Sequence, residues 1–498
     1  KNLTHPKNAF SVRLHSCPVI ARKPNMKYLC GYKILAEIAS GGFSTVYKVQ
    51  ETTPPYRYFA AKRFNRLSDF NIFTQEATSL AKVCHIAGTQ TFFRAICHKD
   101  QLVILTEYID GTSLKAQVKQ HGPMSEAQAL HIVLTLGNQI AQVHLSGLLH
   151  LDIKPSNILI TAERHIILTD FGVASPLSTT RSEVVKTDFC YTAPEKYHGR
   201  QSTTSDIYSL GATLFYLLTG TTPFPNSKKS SDAYQMLAHC SQEIELPDTL
   251  SEPVQALLRR MLAKQDKERP TTPELLQQLQ QCLSSDINTH PITPANPMEK
   301  DLPDESTSYA TAAKHNIPFA QYRYALTLEE KDPAAAMHWY KEAAQQGFTR
   351  AQNNLALLHT ERDEPESALH WLQQGAENNN PYCQYNLSRE LRKQSRQDNA
   401  DFWLSRAANQ GHERAQNTLA IQLEEDTQFE EAFSLYQQAA YAGLTAAQYN
   451  LGLMYESRKT PDTSEADELA TFWFQRAAQS GHLRAARKLP THNEKAPE

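Results

Sequence analysis

Five positions in the second half of the chain, Trp339, Trp371, Trp403, Leu435 and Trp473, are spaced 32, 32, 32 and 38 residues apart, and this period constrains the fold more than any other feature of the 498 residues. A unit of that length is one helix pair that cannot bury its apolar face alone, so several units must stack into a solenoid. At +4, +5 and +8 from each anchor come two small residues and then Gly or Asn: Ala343, Ala344, Gly347; Gly375, Ala376, Asn379; Ala407, Ala408, Gly411; Ala439, Ala440, Gly443; Ala477, Ala478, Gly481. Positions +4 and +5 share the anchor's helix face, where small side chains admit a neighbouring helix, and +8 supplies the left-handed residue that closes the helix. Four residues further on, Ala351, Ala415, Ala447 and Ala485, with Cys383 in the second unit, open the next helix. The anchors and alanines read as core packing. The longer last interval reads as an enlarged polar loop around Lys459–Ser464.

This pattern resembles Sel1-like repeats, relatives of the tetratricopeptide class, in five helix pairs over residues 318–489. The resemblance implies a surface that captures a protein partner. Ahead of it, Asp286–Ser308 contains Pro291, Pro294, Pro297 and Pro303, a linker signature, and the linker is placed at 286–317. Residues 28–285 mix β-branched runs (Leu102–Thr106, Ile166–Thr169) with helical stretches such as Glu126–Leu145, as an α+β enzyme domain does. Residues 1–27 hold six Lys or Arg and no acid and read as a solvated basic extension; residues 490–498 form a short tail.

Formal charge narrows the partners. A net of −3 provides no field for nucleic acid, although residues 318–489 carry 17 basic against 23 acidic side chains. Eight cysteines without any C-x-x-C pair suggest neither a disulfide framework nor a zinc site. No run approaches 18 apolar residues, so no transmembrane segment is expected, and the chain reads as cytoplasmic.

The chemistry is concentrated in His150-Leu151-Asp152-Ile153-Lys154-Pro155-Ser156-Asn157, followed after 12 residues by Asp170-Phe171-Gly172. Phosphoryl transfer needs a carboxylate to orient the attacking hydroxyl, a Lys to neutralise charge on the transferred group, and an amide plus a second carboxylate to hold metal on ATP. Asp152, Lys154, Asn157 and Asp170 fit those roles.

From these motifs residues 28–285 resemble the eukaryotic-like Ser/Thr protein kinases, which implies a bilobal α+β kinase fold followed by the all-α solenoid. By resemblance, Phe59-Ala60-Ala61-Lys62 is the family's third strand, with Lys62 reaching the α and β phosphates and Glu76 as its helix partner. Ala39, Ser40, Gly41, Gly42, Phe43, Ser44 and Val46 form the glycine-rich loop, with Ala39 and Ser44 where the family has its first and third glycines. Backbone groups of Glu107 and Ile109 take the adenine edge, behind Thr106 as gatekeeper, and Val46, Ala60 and Leu159 surround the ring. Asn157 and Asp170 are the metal ligands for Mg²⁺, or Mn²⁺, on ATP. The resemblance also implies that Glu195 pairs with Arg269 and that Asp206 caps the catalytic loop.

Two departures bear on mechanism. Leu151 stands where many members carry Arg, so by resemblance this is a non-RD kinase, and the loop Val173–Lys186 does not require phosphorylation. Asp188 occupies the position of a Thr that contacts the catalytic Asp and Lys; either Asp188 pairs with Lys154 while repelling Asp152, or Thr187 fills the role after a one-residue shift. Lys154 favours Ser/Thr over Tyr as acceptor. The expected activity is a Ser/Thr protein kinase whose repeats recruit substrate or regulator, and the competing reading is a pseudokinase scaffold. Sel1-like arrays are frequent in bacteria, which suggests a bacterial kinase, cytoplasmic or acting on host proteins as an effector.

Overall fold

A computed structural model of the chain describes residues 28–42, 44–66, 69–98, 101–176, 188–224, 231–285, 308–461, 463 and 465–489. The described residues fall into two compact units. One comprises the chain up to Thr74, Phe93–Leu105 and everything from Pro365 onward; the other comprises Gln75–Phe92 and Thr106–Glu364.

The first unit contains a six-stranded sheet in the order β1-β2-β3-β4-β6-β5, built from β1 (Tyr28–Leu29), β2 (Tyr32–Ser40), β3 (Ser44–Gln50), β4 (Tyr58–Phe64), β5 (Phe92–His98) and β6 (Gln101–Glu107). The strand carrying Lys62 is the fourth here, because the two-residue β1 precedes the family's first strand. Alternation sends Phe59, Ala61 and Val49 into a cluster with Leu29, Ile96, Val103 and Leu105. The antiparallel register Ala39↔Val46, Val46↔Lys62 and Lys48↔Ala60 puts Ala39, Val46, Ala60 and Lys62 on the other face. Helix α1 (Phe70–Val83) begins in this unit, with Phe70 and Phe73 fully buried.

The second unit holds the rest of α1, the short strands β7 (Gly111–Ser113), β8 (Leu148–Leu149), β9 (Ile158–Thr161), β10 (Ile166–Leu168) and β11 (Ser175–Pro176), and most of the helices. These are α2 (Leu114–His121), α3 (Glu126–Leu145), α4 (Thr203–Thr219), α5 (Asp232–Ser241), α6 (Glu252–Met261) and α7 (Thr272–Leu283). Capping boxes at Ser125/Gln128 and Thr271/Glu274 start α3 and α7 by satisfying orphan backbone N–H groups. Close approach is made by small residues: a Cβ on Gly211 of α4 would stand 2.8 Å from the Met261 Cβ.

The repeat region consists of helices throughout. It runs α8 (Tyr309–Ala313), α9 (Pro318–Leu328), α10 (Pro333–Gln345) and α11 (Thr349–Glu361) in the second unit. The first unit takes α12 (Pro365–Glu377), α13 (Pro381–Lys393), α14 (Gln397–Asn409), α15 (Glu413–Glu425), α16 (Phe429–Tyr441), α17 (Thr445–Glu456), α18 (Ala466–Gln479) and α19 (Leu483–Ala486). Helix α8 lies inside the stretch read as linker, with Ala312 and Ala313 buried.

The +8 residues close α10, α12, α14, α16 and α18 as the spacing predicts: Gly347, Asn379, Gly411, Gly443 and Gly481 all have positive φ. The anchor reading needs correction. Trp339, Trp371, Trp403 and Leu435 are only half-buried, and the core is filled by the next residue in each unit: Tyr340, Leu372, Leu404, Tyr436 and Phe474. A stacked helix pair buries a stripe one position wide of the tryptophans, whose large rings cover its edge. The repeat also carries a polar lock that the sequence analysis passed over. Buried Gln321, Gln352, Gln384 and Gln448 each donate from Nε2 to the carbonyl eight residues earlier (Ala313, Ala344, Ala376, Ala440), at 3.0–3.5 Å. Each bond is a second one to a helix-terminal carbonyl that also accepts a backbone N–H three residues on, from Asn316, Gly347, Asn379 or Gly443.

Candidate active site

The catalytic loop follows β8 and owes its shape to one carboxylate. Asp206, fully buried on α4, accepts the backbone N–H of His150 at 2.9 Å and of Leu151 at 2.7 Å, and the Nε2 of His144 at 2.9 Å. Burial works against its charge, but the His144 hydrogen bond and the surrounding partial charges prevail, and its carboxyl sits below the ordinary range. This cap holds Leu151 at φ +64°, a conformation that costs a residue with a side chain about 1–2 kcal/mol. Lys196 holds the next peptide, donating from Nζ to the Leu151 carbonyl at 3.2 Å. Sequence reasoning identified Asp206 and overlooked His144 and Lys196; the position of Lys196 directly after Ala193-Pro194-Glu195 was the available signal.

His150 is neutral and its tautomer is fixed. Burial holds the imidazole below its ordinary range, Nε2 donates to the Thr169 carbonyl at 3.2 Å, and Nδ1 accepts the Asp152 N–H at 3.3 Å. Its ring packs 4.6 Å from that of buried Phe171, joining the loop to the Asp170-Phe171-Gly172 segment. Asn157, in the 3₁₀ turn Pro155–Asn157, uses its carbonyl to accept both the N–H and the hydroxyl of Thr169, each at 2.9 Å.

These supports converge on Asp152. Lys154 Nζ lies 2.9–3.0 Å from its carboxylate oxygens, and Asn157 Nδ2 donates to Oδ2 at 2.8 Å and to the Asp152 carbonyl at 2.9 Å. Burial raises the Asp152 carboxyl, with Lys154 offsetting part of the rise. Burial likewise opposes the Lys154 ammonium, yet the Asp152 charge prevails and lifts it above its ordinary value. A carboxylate shifted toward neutrality is better matched to accepting a hydroxyl proton.

With Nδ2 committed to Asp152, the Asn157 amide presents Oδ1 as its acceptor end. Asp170, at φ +64°, adds a second hard oxygen donor from the neighbouring segment. Two such donors are what a magnesium ion arriving with nucleotide phosphates requires of the protein. Glu76 of α1 reaches the same segment: a Cβ on Gly172 would stand 2.9 Å from Glu76 Oε2 and 3.1 Å from Asp170 Oδ1, so a larger residue there would displace both carboxylates. Gln75 Nε2 donates to the Ala174 carbonyl at 2.9 Å.

At the hinge, the Glu107 N–H is bonded to the Thr91 carbonyl at 2.9 Å, and the Glu107 carbonyl accepts from Gln90 Nε2 at 3.3 Å, leaving that carbonyl one lone pair. Thr106 is buried; Ile109 and Leu159 are half-buried. Within the first unit, the β2–β3 turn is closed by Gly41 N–H to the Ser44 carbonyl at 2.9 Å and by Asn65 Nδ2 to the Gly41 carbonyl at 3.1 Å. Ala39, Ser40, Gly41 and Gly42 are exposed, Lys62 is half-buried, and Phe43 lies outside the described residues.

Of the open alternatives at Asp188, Thr187 and the stretch 177–187 lie outside the described residues. The Asp188 carboxylate accepts the Cys190 N–H at 3.2 Å, its carbonyl accepts the Thr192 hydroxyl at 2.9 Å, and its charge favours the Lys154 ammonium. Further along, Glu195 and Arg269 form a buried bidentate pair, both contacts 2.8 Å, completed by the Ser205 hydroxyl on Glu195 and by the Ala263, Thr204 and Lys264 carbonyls on Arg269. Such full satisfaction is what makes a buried ion pair tolerable.

A capped Asp-x-Lys-x-x-Asn loop, an Asp-Phe-Gly segment and a buried Glu–Arg pair beneath them define the protein kinase class. Residues 32–279 match the protein kinase domain, and 318–348, 349–380, 381–412, 423–444 and 445–482 match the Sel1 repeat. The chain carries a protein kinase domain followed by five Sel1 repeats. Among its relatives are the probable serine/threonine-protein kinase PknB of Lactococcus lactis (32% identical over 244 residues, 47% of this chain) and the serine/threonine-protein kinase PrkC of Bacillus subtilis (35% over 215 residues, 41% of this chain). A third is the serine/threonine-protein kinase PknD of Mycobacterium tuberculosis, 32% identical over 204 residues, or 39% of this chain. The matched stretches span 38%, 33% and 30% of those relatives' own lengths. No helix among the described residues is long and apolar enough to cross a membrane.

Proposed function

We propose that this chain transfers the γ-phosphoryl group of ATP to Ser or Thr hydroxyls of proteins, and that its Sel1 repeats recruit the substrate or a regulator. The observation that carries the reading is the Asp152 carboxylate, held between Lys154 Nζ and Asn157 Nδ2 and raised by burial. Asp152 orients the acceptor hydroxyl and takes its proton as the oxygen attacks. Lys154, beside it, neutralises charge spreading over the transferred group. Asn157 and Asp170 would hold Mg²⁺, or Mn²⁺ in its place, which would supply charge neutralisation on the ATP phosphates. Lys62, with Glu76 as its partner, takes the α and β phosphates.

The glycine-rich turn supports nucleotide binding by a negative argument. Neither Gly41 nor Gly42 has positive φ, and a Cβ on Gly42 would meet nothing within 4 Å, so the fold itself does not demand glycine there. Close approach by a phosphate through backbone N–H groups does. Ala39, Val46 and Ala60, on the same sheet face as Lys62, and Leu159 supply apolar surface for the adenine, and the Glu107 carbonyl and Ile109 N–H its polar edge. Tethering a docked substrate raises its effective concentration to about millimolar. The setting we propose is the cytoplasm of a bacterium, or of a host cell into which the kinase is delivered. The test is Asp152→Asn in the full chain: phosphate transfer to a generic acceptor disappears while capture of a repeat-bound partner persists. Undiminished transfer rejects the reading.

A further inference from the structure

The fourth repeat breaks its own pattern at one residue. Six positions after the anchor, four units carry Gln345, Glu377, Asn409 and Gln479, all polar and exposed, whereas the fourth carries Tyr441, which is 5% exposed. What buries Tyr441 is the kinase domain's helix α1. Its ring stacks on Phe70 at 4.9 Å and 15°, and its side chain is hydrogen-bonded with the thiol of buried Cys97 on β5. On the repeat side Trp473 closes edge-on against Tyr441 at 4.9 Å, and Trp473, alone among the tryptophan anchors, is fully buried. One residue beyond Phe70, Asn71 Nδ2 donates to the Gly411 carbonyl at 3.0 Å, at the turn between α14 and α15. The first turn of α1 is therefore gripped at two points by repeat residues that core packing of the solenoid does not require.

Helix α1 also carries the groups that meet the Asp170-Phe171-Gly172 segment. Gln75 holds the Ala174 carbonyl, and Glu76 lies against Gly172. A helix transmits rotation along its length, because residues one turn apart are fixed by the same backbone hydrogen bonds. We propose that the repeats act as a fixed clamp on α1, through the Tyr441–Phe70 stack and the Gly411–Asn71 bond, which makes Tyr441 a positioning residue for phosphoryl transfer. This rests on the kinase reading and adds a second role for the repeats: they complete the catalytic domain as well as recruiting to it. In the other unit, Phe319 of α9 packs 6.3 Å from both Phe189 and Tyr197, on either side of Glu195, an equivalent grip by the first repeat.

The test uses the full chain and returns Tyr441 to the residue its sister repeats tolerate. In Tyr441→Gln, kcat for transfer to casein falls about tenfold or more, as loss of aromatic stacking and its edge contact predicts, measured at a temperature where the variant is still folded. Tyr441→Phe, which keeps the stack, recovers at least half of the wild-type kcat. Backbone hydrogen exchange over residues 70–83 becomes about tenfold faster in Tyr441→Gln, a readout that does not depend on activity. If Tyr441→Gln fails to fold, Phe70→Leu removes the stack from the other side and gives the same pair of changes. A kcat within twofold of wild type, a rise in kcat, or unaltered exchange in α1 overturns the clamp. A wild-type chain without transfer activity refutes the kinase reading separately, since the exchange measurement still decides the clamp.

Discussion

Replacing Asp206 by Asn probes whether the catalytic loop is held as described. Its two oxygens accept three hydrogen bonds, from the N–H groups of His150 and Leu151 and from His144, in a site with no exposure. An amide keeps one acceptor and turns the other into a donor. With Nδ2 toward Leu151, that N–H loses its partner; with Nδ2 toward His150, the His150 N–H does, and His144 must change tautomer. One buried N–H left unpaired costs about 1–3 kcal/mol, and losing the charge weakens the remaining bonds by about 1 kcal/mol each. The expected loss of kinase-domain stability is about 3–5 kcal/mol, read from urea unfolding of the full chain. Leu151 should also leave φ +64°, carrying Asp152 with it, so kcat falls by at least about tenfold under conditions where the variant is still folded. A loss under about 1 kcal/mol with kcat intact would refute the reasoning.

Arg269→Lys keeps the charge but cannot reproduce the two-pronged contact with Glu195 or the three carbonyl bonds; a loss of about 3 kcal/mol is expected in the same unfolding assay. His239, fully buried and bonded to the Tyr208 hydroxyl, is pushed down to about 3 chiefly by burial, against about 6.5 in an unfolded chain. The unfolded state therefore gains a proton that the folded state refuses, so stability is complete above about pH 6.5 and falls by about 1.4 kcal/mol per pH unit as pH drops toward 3. His239→Asn, which keeps an acceptor for Tyr208, should flatten that slope by one proton in stability measurements from pH 7.5 to 4. Gln384→Ala removes one of the two hydrogen bonds that the Ala376 carbonyl accepts, the other coming from the Asn379 N–H, and should lower the repeat-region melting transition by the equivalent of about 1 kcal/mol.

What was legible in the sequence was local. Asp152, Lys154 and Asn157 sit within six residues, so their spacing alone places them on one loop, and the +8 glycines announce helix ends because only a few residues accept positive φ. Asp206 and the Glu195–Arg269 pair were legible only through resemblance. His144 and Tyr441 were not, because their partners lie far away in the chain and nothing in their immediate neighbours marks them; Lys196 is marked only by its place directly after Ala193-Pro194-Glu195. The buried stripe was misplaced by one residue because a tryptophan's size draws attention away from the Tyr, Leu or Phe that follows it and fills the core. Tyr441 could have been found by asking which unit departs from its siblings at +6, since a repeat conserves what its own stacking needs and departs where something else is touched.

The most direct measurement is transfer of labelled γ-phosphate from ATP by the purified chain, with and without magnesium, beside Asp152→Asn. The account predicts metal-dependent labelling of Ser or Thr in the chain itself or in casein, lost in the variant. No labelling by the wild-type chain, or equal labelling by Asp152→Asn, would contradict it.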